Sequence, residues 1–409
     1  MRRELWYGLA LAVLTLGAGL GQAHDPGADP AAGQWPAPSL IPGQAIPCPP
    51  KLTLQADYLL WWIKNGPNPQ PLVTLGTEES EGILGNAGTA VIYGGSGWNF
   101  GPFSGARLTA EWHLDECLSL QFSGFVLEQR SEHFAAASDD TGVPVITRPV
   151  FNTLLGQETG SSVAFPEAFR GNVAVFASSQ LWGKEVNWVK TCWQDCRRRC
   201  DLLLGARYVE LQEALYLHQD VTILERGIAG FEGEVLVAPS RLGINDAFET
   251  QNRFYGGQIG GRTRFQYGNW TFDLVGKLAL GCTRQFVSIT GSTTRFEGPG
   301  PVAVANGGLL AVPSNISKHD DTAFAVVPEF SLTARYSVSD NLSLLAGYTF
   351  VYWSDVVRPG EQVDRNVNPQ QVPSSLIYGP LTAPALPLPT MNKSDFWAMG
   401  LHLGLELRF

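Results

Sequence analysis

The chain has 409 residues, a net charge of −10 and a mean hydropathy near zero (−0.02). An acidic balance argues against nucleic acid as a partner. Nothing from Gln22 to Phe409 is continuously apolar for the eighteen or more residues that a membrane helix needs, so any membrane span must be built from strands. In chain order, Met1-Arg2-Arg3 precedes an apolar stretch from Leu5 to Leu20 and a small-residue site at Gly21-Gln22-Ala23. That order predicts a cleaved signal peptide over 1–23 and export. Residues 24–50 are rich in Pro, Ala and Gly and poor in large apolar side chains, the composition of an extended periplasmic linker.

From Lys51 the period becomes two. Leu52, Leu54, Ala56, Tyr58, Leu60 and Trp62 share one face, with Thr53, Gln55 and Asp57 on the other. Nine further strands are predicted over Phe103–Leu114, Leu118–Arg130, Asn172–Lys190, Leu202–Leu217, Phe248–Tyr267, Trp270–Ile289, Ala323–Val338, Leu342–Trp353 and Ser394–Phe409. The connections alternate long and short. The short ones fall at Asp115-Glu116-Cys117, around Cys192 to Cys200, at Gly268-Asn269 and at Ser339-Asp340-Asn341. Ten up-and-down strands with this alternation predict an all-β fold: a transmembrane antiparallel barrel over 51–409, with short periplasmic turns and long extracellular loops. The 45 Gly, 21 Phe, 12 Trp and 11 Tyr in a chain with 16% charged residues suit two-sided sheets with aromatic girdles. The Gly, Pro and Ser content of the long connections fits exposed loops.

Alternation assigns a lumen face carrying Asp57, Glu111, Glu185, Asp273, Glu329 and Glu406 against Arg107, Arg207, Arg262, Arg264, Lys277, Arg335 and Arg408. Glu185 belongs to a strand (Trp182, Lys184, Glu185, Trp188) whose faces alternation does not resolve. The near balance of sign predicts side chains that pair across the lumen and largely fill it, hence a narrow or gated pore rather than a general diffusion porin. On the last strand Leu401, Leu403, Leu405, Leu407 and Phe409 form the opposite face, facing lipid. A terminal Phe after alternating leucines is also the pattern expected of a signal to the barrel-assembly machinery. Outer-membrane lipids and that machinery are therefore the expected partners.

The six cysteines, Cys48, Cys117, Cys192, Cys196, Cys200 and Cys282, are expected to form disulfides in an oxidising compartment, with the pairing open. The two x3 steps of Cys192, Cys196 and Cys200 beside Arg197-Arg198-Arg199 do not suit a metal, and no cofactor motif occurs. An enzyme is not expected: the best constellation for one is His319-Asp320-Asp321 with His133 and Asp139-Asp140, more simply a wetted strand end, and no G-x-S-x-G nucleophile motif is present. The alternative to a channel is a non-conducting surface barrel whose long loops mediate contacts.

Seven blocks stand out along the chain: Phe125-Val126-Leu127-Glu128-Gln129, Ser178-Ser179-Gln180-Leu181-Trp182-Gly183, Asn252-Arg253-Phe254-Tyr255-Gly256-Gly257-Gln258, Gly276-Lys277-Leu278-Ala279-Leu280-Gly281, Phe324-Ala325-Val326-Val327-Pro328-Glu329, Tyr352-Trp353-Ser354-Asp355-Val356-Val357-Arg358-Pro359-Gly360 and Ser394-Asp395-Phe396-Trp397. Through them the chain resembles a planctomycete family of outer-membrane β-barrel porins. The resemblance implies location in the cell outer membrane and a barrel architecture, and brings no catalytic or ligand residues.

Overall fold

The computed structural model describes residues 50–195, 197–298 and 300–409. The expected signal peptide, all of the linker but Pro50, and Cys48 and Cys196 lie outside them. The described chain contains ten long antiparallel strands: β1 (Leu52–Ile63), β2 (Phe103–His113), β3 (Leu118–Leu127), β4 (Phe169–Gln194), β5 (Arg198–Ile223), β6 (Arg241–Tyr267), β7 (Trp270–Glu297), β8 (Ser317–Ser337), β9 (Leu342–Val357) and β10 (Lys393–Arg408). Each pairs with the next, and the ring closes when β10 pairs with β1 from Thr53↔Arg408 to Ile63↔Ala398. Closure leaves no ladder edge in the ring, the condition for placing strands in hydrocarbon. No helix among the described residues is long and apolar enough to cross a membrane.

The turns at one end are short for local chemical reasons. Asp115 Oδ1 accepts the backbone N–H groups of Cys117 and Leu118 at 2.8 Å each, and Asp195 Oδ1 accepts those of Arg197 and Arg198 at 2.7 Å. Such side-chain turns tighten a hairpin, and Gly268, with φ +58°, takes the left-handed position of the Gly268-Asn269 turn.

At the other end the strands run further than the sequence predicts. The fourth begins at Phe169, the fifth reaches Ile223 and the sixth begins at Arg241. The long connections are not plain exposed loops either. Arg130–Ala137 continues along β4 where β3 stops, Gly300–Asn306 lies along β7, and Pro71–Gly76, Ala90–Gly94, Val145–Asn152, Gln157–Ala164 and Asn366–Val367 form a separate five-stranded sheet. Together these segments make a folded cap. Composition did not show this because the cap's apolar residues come in short runs from distant connections. Leu72, Ile146, Val163, Leu310 and Val367 bury themselves in one cluster with barrel residues Leu59, Trp61, Phe103, Phe254, Trp353 and Phe396.

Outside, the face opposite the lumen is apolar. Leu401, Leu403, Leu405, Leu407 and Phe409 are all exposed, whereas His402 and Glu406 between them are buried. The fourth strand resolves in the same way: Glu185 turns inward, while Lys184 turns outward, its ammonium 5.6 Å from the Tyr208 ring. Alternation failed there because one outward position holds a lysine. A lipid-facing lysine can run its stem along apolar surface toward the interface.

Candidate functional site: the charged lumen and its apolar seal

Every second residue of each strand points inward, so the polar positions near the short-turn end converge on one space. Three ion-pair groups form there. Nearest the turns, Arg262 donates Nη1 and Nη2 to Glu111 at 2.8 and 3.0 Å and Nε to Asp201 at 2.8 Å, and Arg199 reaches the other Asp201 oxygen at 2.7 Å. Beside it, Asp273 accepts from Arg264 at 2.8 Å and Arg335 at 3.0 Å, and Glu406 accepts from Arg335 at 2.8 Å and Arg408 at 2.9 Å. Higher in the lumen, Glu185 and Glu329 share Arg207 and Lys277; Arg207 donates to Glu185 at 3.1 Å through Nε and to Glu329 at 2.6 Å. These groups draw on β2, β4, β5, β6, β7, β8 and β10, so the pairs tie strands that are far apart in sequence. Buried charges persist in such a place only when so paired.

Two predicted lumen residues behave differently. Asp57 is buried, with no cation among the described residues within salt-bridge distance; its carboxylate accepts instead from the Gln55 amide at 3.0 and 2.8 Å. Arg107, its register partner on β2, stacks over the rings of Trp61 (5.3 Å) and Phe125 (6.0 Å). The charges do not fill the interior completely: a cavity of about 340 Å³ remains, lined at one end by Pro50, His113, Gln266 and Ser337 and at the other by Val351, Trp353 and Phe396.

Above that level the interior is packed mostly with apolar side chains. Trp61, Phe103, Leu211, Phe254, Trp353 and Phe396 fill the barrel, and Trp353 Nε1 donates to Thr283 at 2.9 Å. Buried polar ties then hold the cap down. Arg358 donates to both oxygens of Glu213 at 2.7 and 2.6 Å and to the carbonyl of Asn65 at 2.7 Å. Arg148 meets Asp246 at 2.6 Å, and the other Asp246 oxygen accepts the N–H groups of Leu309, Leu310 and Ala311 at 2.8–2.9 Å. Asn252 holds both the N–H and the carbonyl of Val357 at 2.8 Å. Sequence reasoning missed these ties, together with Arg199 and Asp201. One signal was available: Arg358 stands inside the longest of the resemblance blocks.

The hydrolase constellation does not assemble. Asp320 pairs with Arg284 at 3.0 Å and Asp321 with Lys393 at 2.8 Å on β8, while His133 meets the Phe176 ring edge-on from the segment beside β4, with β4 to β7 between it and β8 around the ring. Asp139 caps its own turn through Thr141 and Val143, and Asp140 pairs with Arg170. Among the described residues no group of His, Cys, Asp and Glu could hold a metal ion. The disulfide expectation is not met by the described cysteines: Cys117, Cys192, Cys200 and Cys282 are all free. Cys282 sits on the outward face of β7 opposite Phe324, remote from the other three near the short turns.

A closed antiparallel ring, apolar outside and ion-paired inside, is a β-barrel of the outer-membrane class. Within that class the chain belongs to the family described as "Putative beta barrel porin-7 (BBP7)", whose profile matches residues 54–409. No curated protein matches the chain. Among solved structures it is similar to the outer-membrane protease OmpT from Escherichia coli (10% identity, 90% of this chain and 99% of that one, TM-score 0.35). It is also similar to the monoaromatic hydrocarbon channel CymD (9%, 88% and 89%, TM-score 0.17) and to a FadL homologue of Pseudomonas aeruginosa (6%, 88% and 90%, TM-score 0.23).

Proposed function

We propose that the protein is a normally closed, gated porin for small solutes in the outer membrane, with its short turns in the periplasm and its cap outside. The observation that carries this reading is the lumen cavity: a charged, partly open interior in a porin-family barrel ends abruptly beneath the Trp353 and Phe396 layer. Passage requires that layer and the cap above it to move. The chain reaches the membrane by export behind a cleaved leader over 1–23, and the barrel-assembly machinery engages Leu401, Leu403, Leu405, Leu407 and Phe409. A second reading, a non-conducting surface barrel, is supported by the large apolar cluster that joins cap and barrel.

Single-channel recording in a planar bilayer separates the two. A gated porin shows brief, stepwise openings in the wild type that lengthen when Arg358→Gln loosens the cap. A folded barrel that stays silent in both forms favours the surface reading. Deleting Phe409 tests the assembly signal, because lower outer-membrane levels are expected if it is read.

A further inference from the structure

Among the described residues the lumen holds eight Arg and Lys side chains, and seven of them lie within salt-bridge distance of a carboxylate: Arg199, Arg207, Arg262, Arg264, Lys277, Arg335 and Arg408. Arg107 is the eighth. Among the described residues its guanidinium has no carboxylate within that distance and no hydrogen-bond acceptor; its contacts are the faces of Trp61 and Phe125. Asp57, Glu329 and His402 are close enough to act on it electrostatically, yet none accepts a hydrogen bond from it. Asp57, the register partner that could have paired with it, is held by Gln55 instead. The indole N–H of the buried Trp61 beside it also has no acceptor.

We propose that Arg107 is the binding point for a small oxyanion, a carboxylate or phosphate group, entering the lumen cavity from the short-turn end. A guanidinium offers paired, coplanar N–H donors that match two oxygens of such a group, and stacking on aromatic faces fixes its plane while leaving those donors free. Arg107 lines the cavity, together with the hydroxyls of Thr109, Ser123 and Thr333. At about 340 Å³ the space lies at the lower end of the range for small-molecule pockets, which fits a metabolite-sized anion and excludes a polymer. The buried Trp353 and Phe396 layer closes the far side, so the anion waits below the seal. This assignment rests on the porin reading for its purpose, since it names the class of solute, but the binding itself needs no conduction.

The test is isothermal titration of the detergent-solubilised full-length protein with sodium acetate, sodium phosphate and sodium chloride, each against a choline control. Saturable binding of acetate or phosphate is expected, weakened at least tenfold in Arg107→Gln, partly restored in Arg107→Lys and unchanged in Arg284→Gln on the outer face. Retained heat-modifiable mobility of each variant on a gel shows that the barrel is folded. Equal binding by Arg107→Gln, no saturable binding at all, or chloride bound as well as the oxyanions overturns the proposal. Binding without bilayer conductance overturns the porin reading alone, and conductance without Arg107-dependent binding overturns this inference alone.

Discussion

Two halves of one interior meet different physical demands with the same ten strands. Near the short turns the inward residues are charged, and the barrel is held from within by ion pairs that also leave a cavity. Toward the cap the inward residues of the same strands become Leu59, Trp61, Leu211, Phe254 and Trp353, and the space is packed with apolar side chains. The difference teaches where the proposed gate lies. Cohesion in the lower half resides in the wall, whereas closure in the upper half depends on parts that come from connections and are fastened by a few buried polar ties. An ion pair is costly to break one-sidedly when it is dry and weak when it is wet.

The largest effect is expected at a buried tie of the cap. Arg358→Ala leaves Glu213 buried without its guanidinium and is expected to destabilise the cap by about 3–5 kcal/mol. Limited proteolysis should then cut within 359–372, while the barrel keeps its heat-modifiable mobility. Protection equal to wild type would show that the cap is held by its apolar core alone. Next comes the outer wall, where Leu405→Arg puts a charge on the lipid face at about 2–4 kcal/mol. Membrane fractionation should show reduced outer-membrane levels; wild-type levels would overturn the face assignment.

Glu406→Gln probes the lower interior. Alternation alone treats a lumen-face change as mild, but Glu406 is buried and accepts from both Arg335 and Arg408. A loss of about 1–3 kcal/mol in denaturant unfolding is expected, less than for Arg358→Ala because the nearby cavity admits water. An equal or larger loss would erase the contrast between the two halves. The smallest effect is a pH dependence in the cap. Burial pushes the Glu361 carboxyl above its ordinary value, against the opposing pull of Arg358 and Lys64. Its contribution to stability is therefore complete below the ordinary glutamate range and is lost as pH rises through the raised folded-state value. Hydrogen exchange over 359–372, corrected for intrinsic rate, should slow modestly on acidification from neutral pH. Glu361→Gln should remove that dependence; a variant that keeps it would assign the dependence to another group.

The period-two pattern determined the ten strands, their order and, the fourth excepted, their two faces, because a strand that separates lipid from lumen alternates between them. The long and short connections determined which end holds the tight turns, and Asp115, Asp195 and Gly268 are the residues such turns demand. Even the change of interior was written in β1, where Thr53, Gln55 and Asp57 give way to Leu59, Trp61 and Ile63 on the same inward face. What the pattern could not decide was anything that depends on residues meeting across the ring. Lys184 and Glu185 are adjacent charges in sequence, and only the neighbours of each, Tyr208 outside and Arg207 and Lys277 inside, assign them to opposite faces. Arg148 finds Asp246 and Arg358 finds Glu213 across long separations, so no local signal marks these partners. The exception at Arg107 is of the same kind: its register partner Asp57 is visible in the ladder, but the Gln55 amide and the Trp61 ring that keep the two charges apart exert their effect only when the strands close around them.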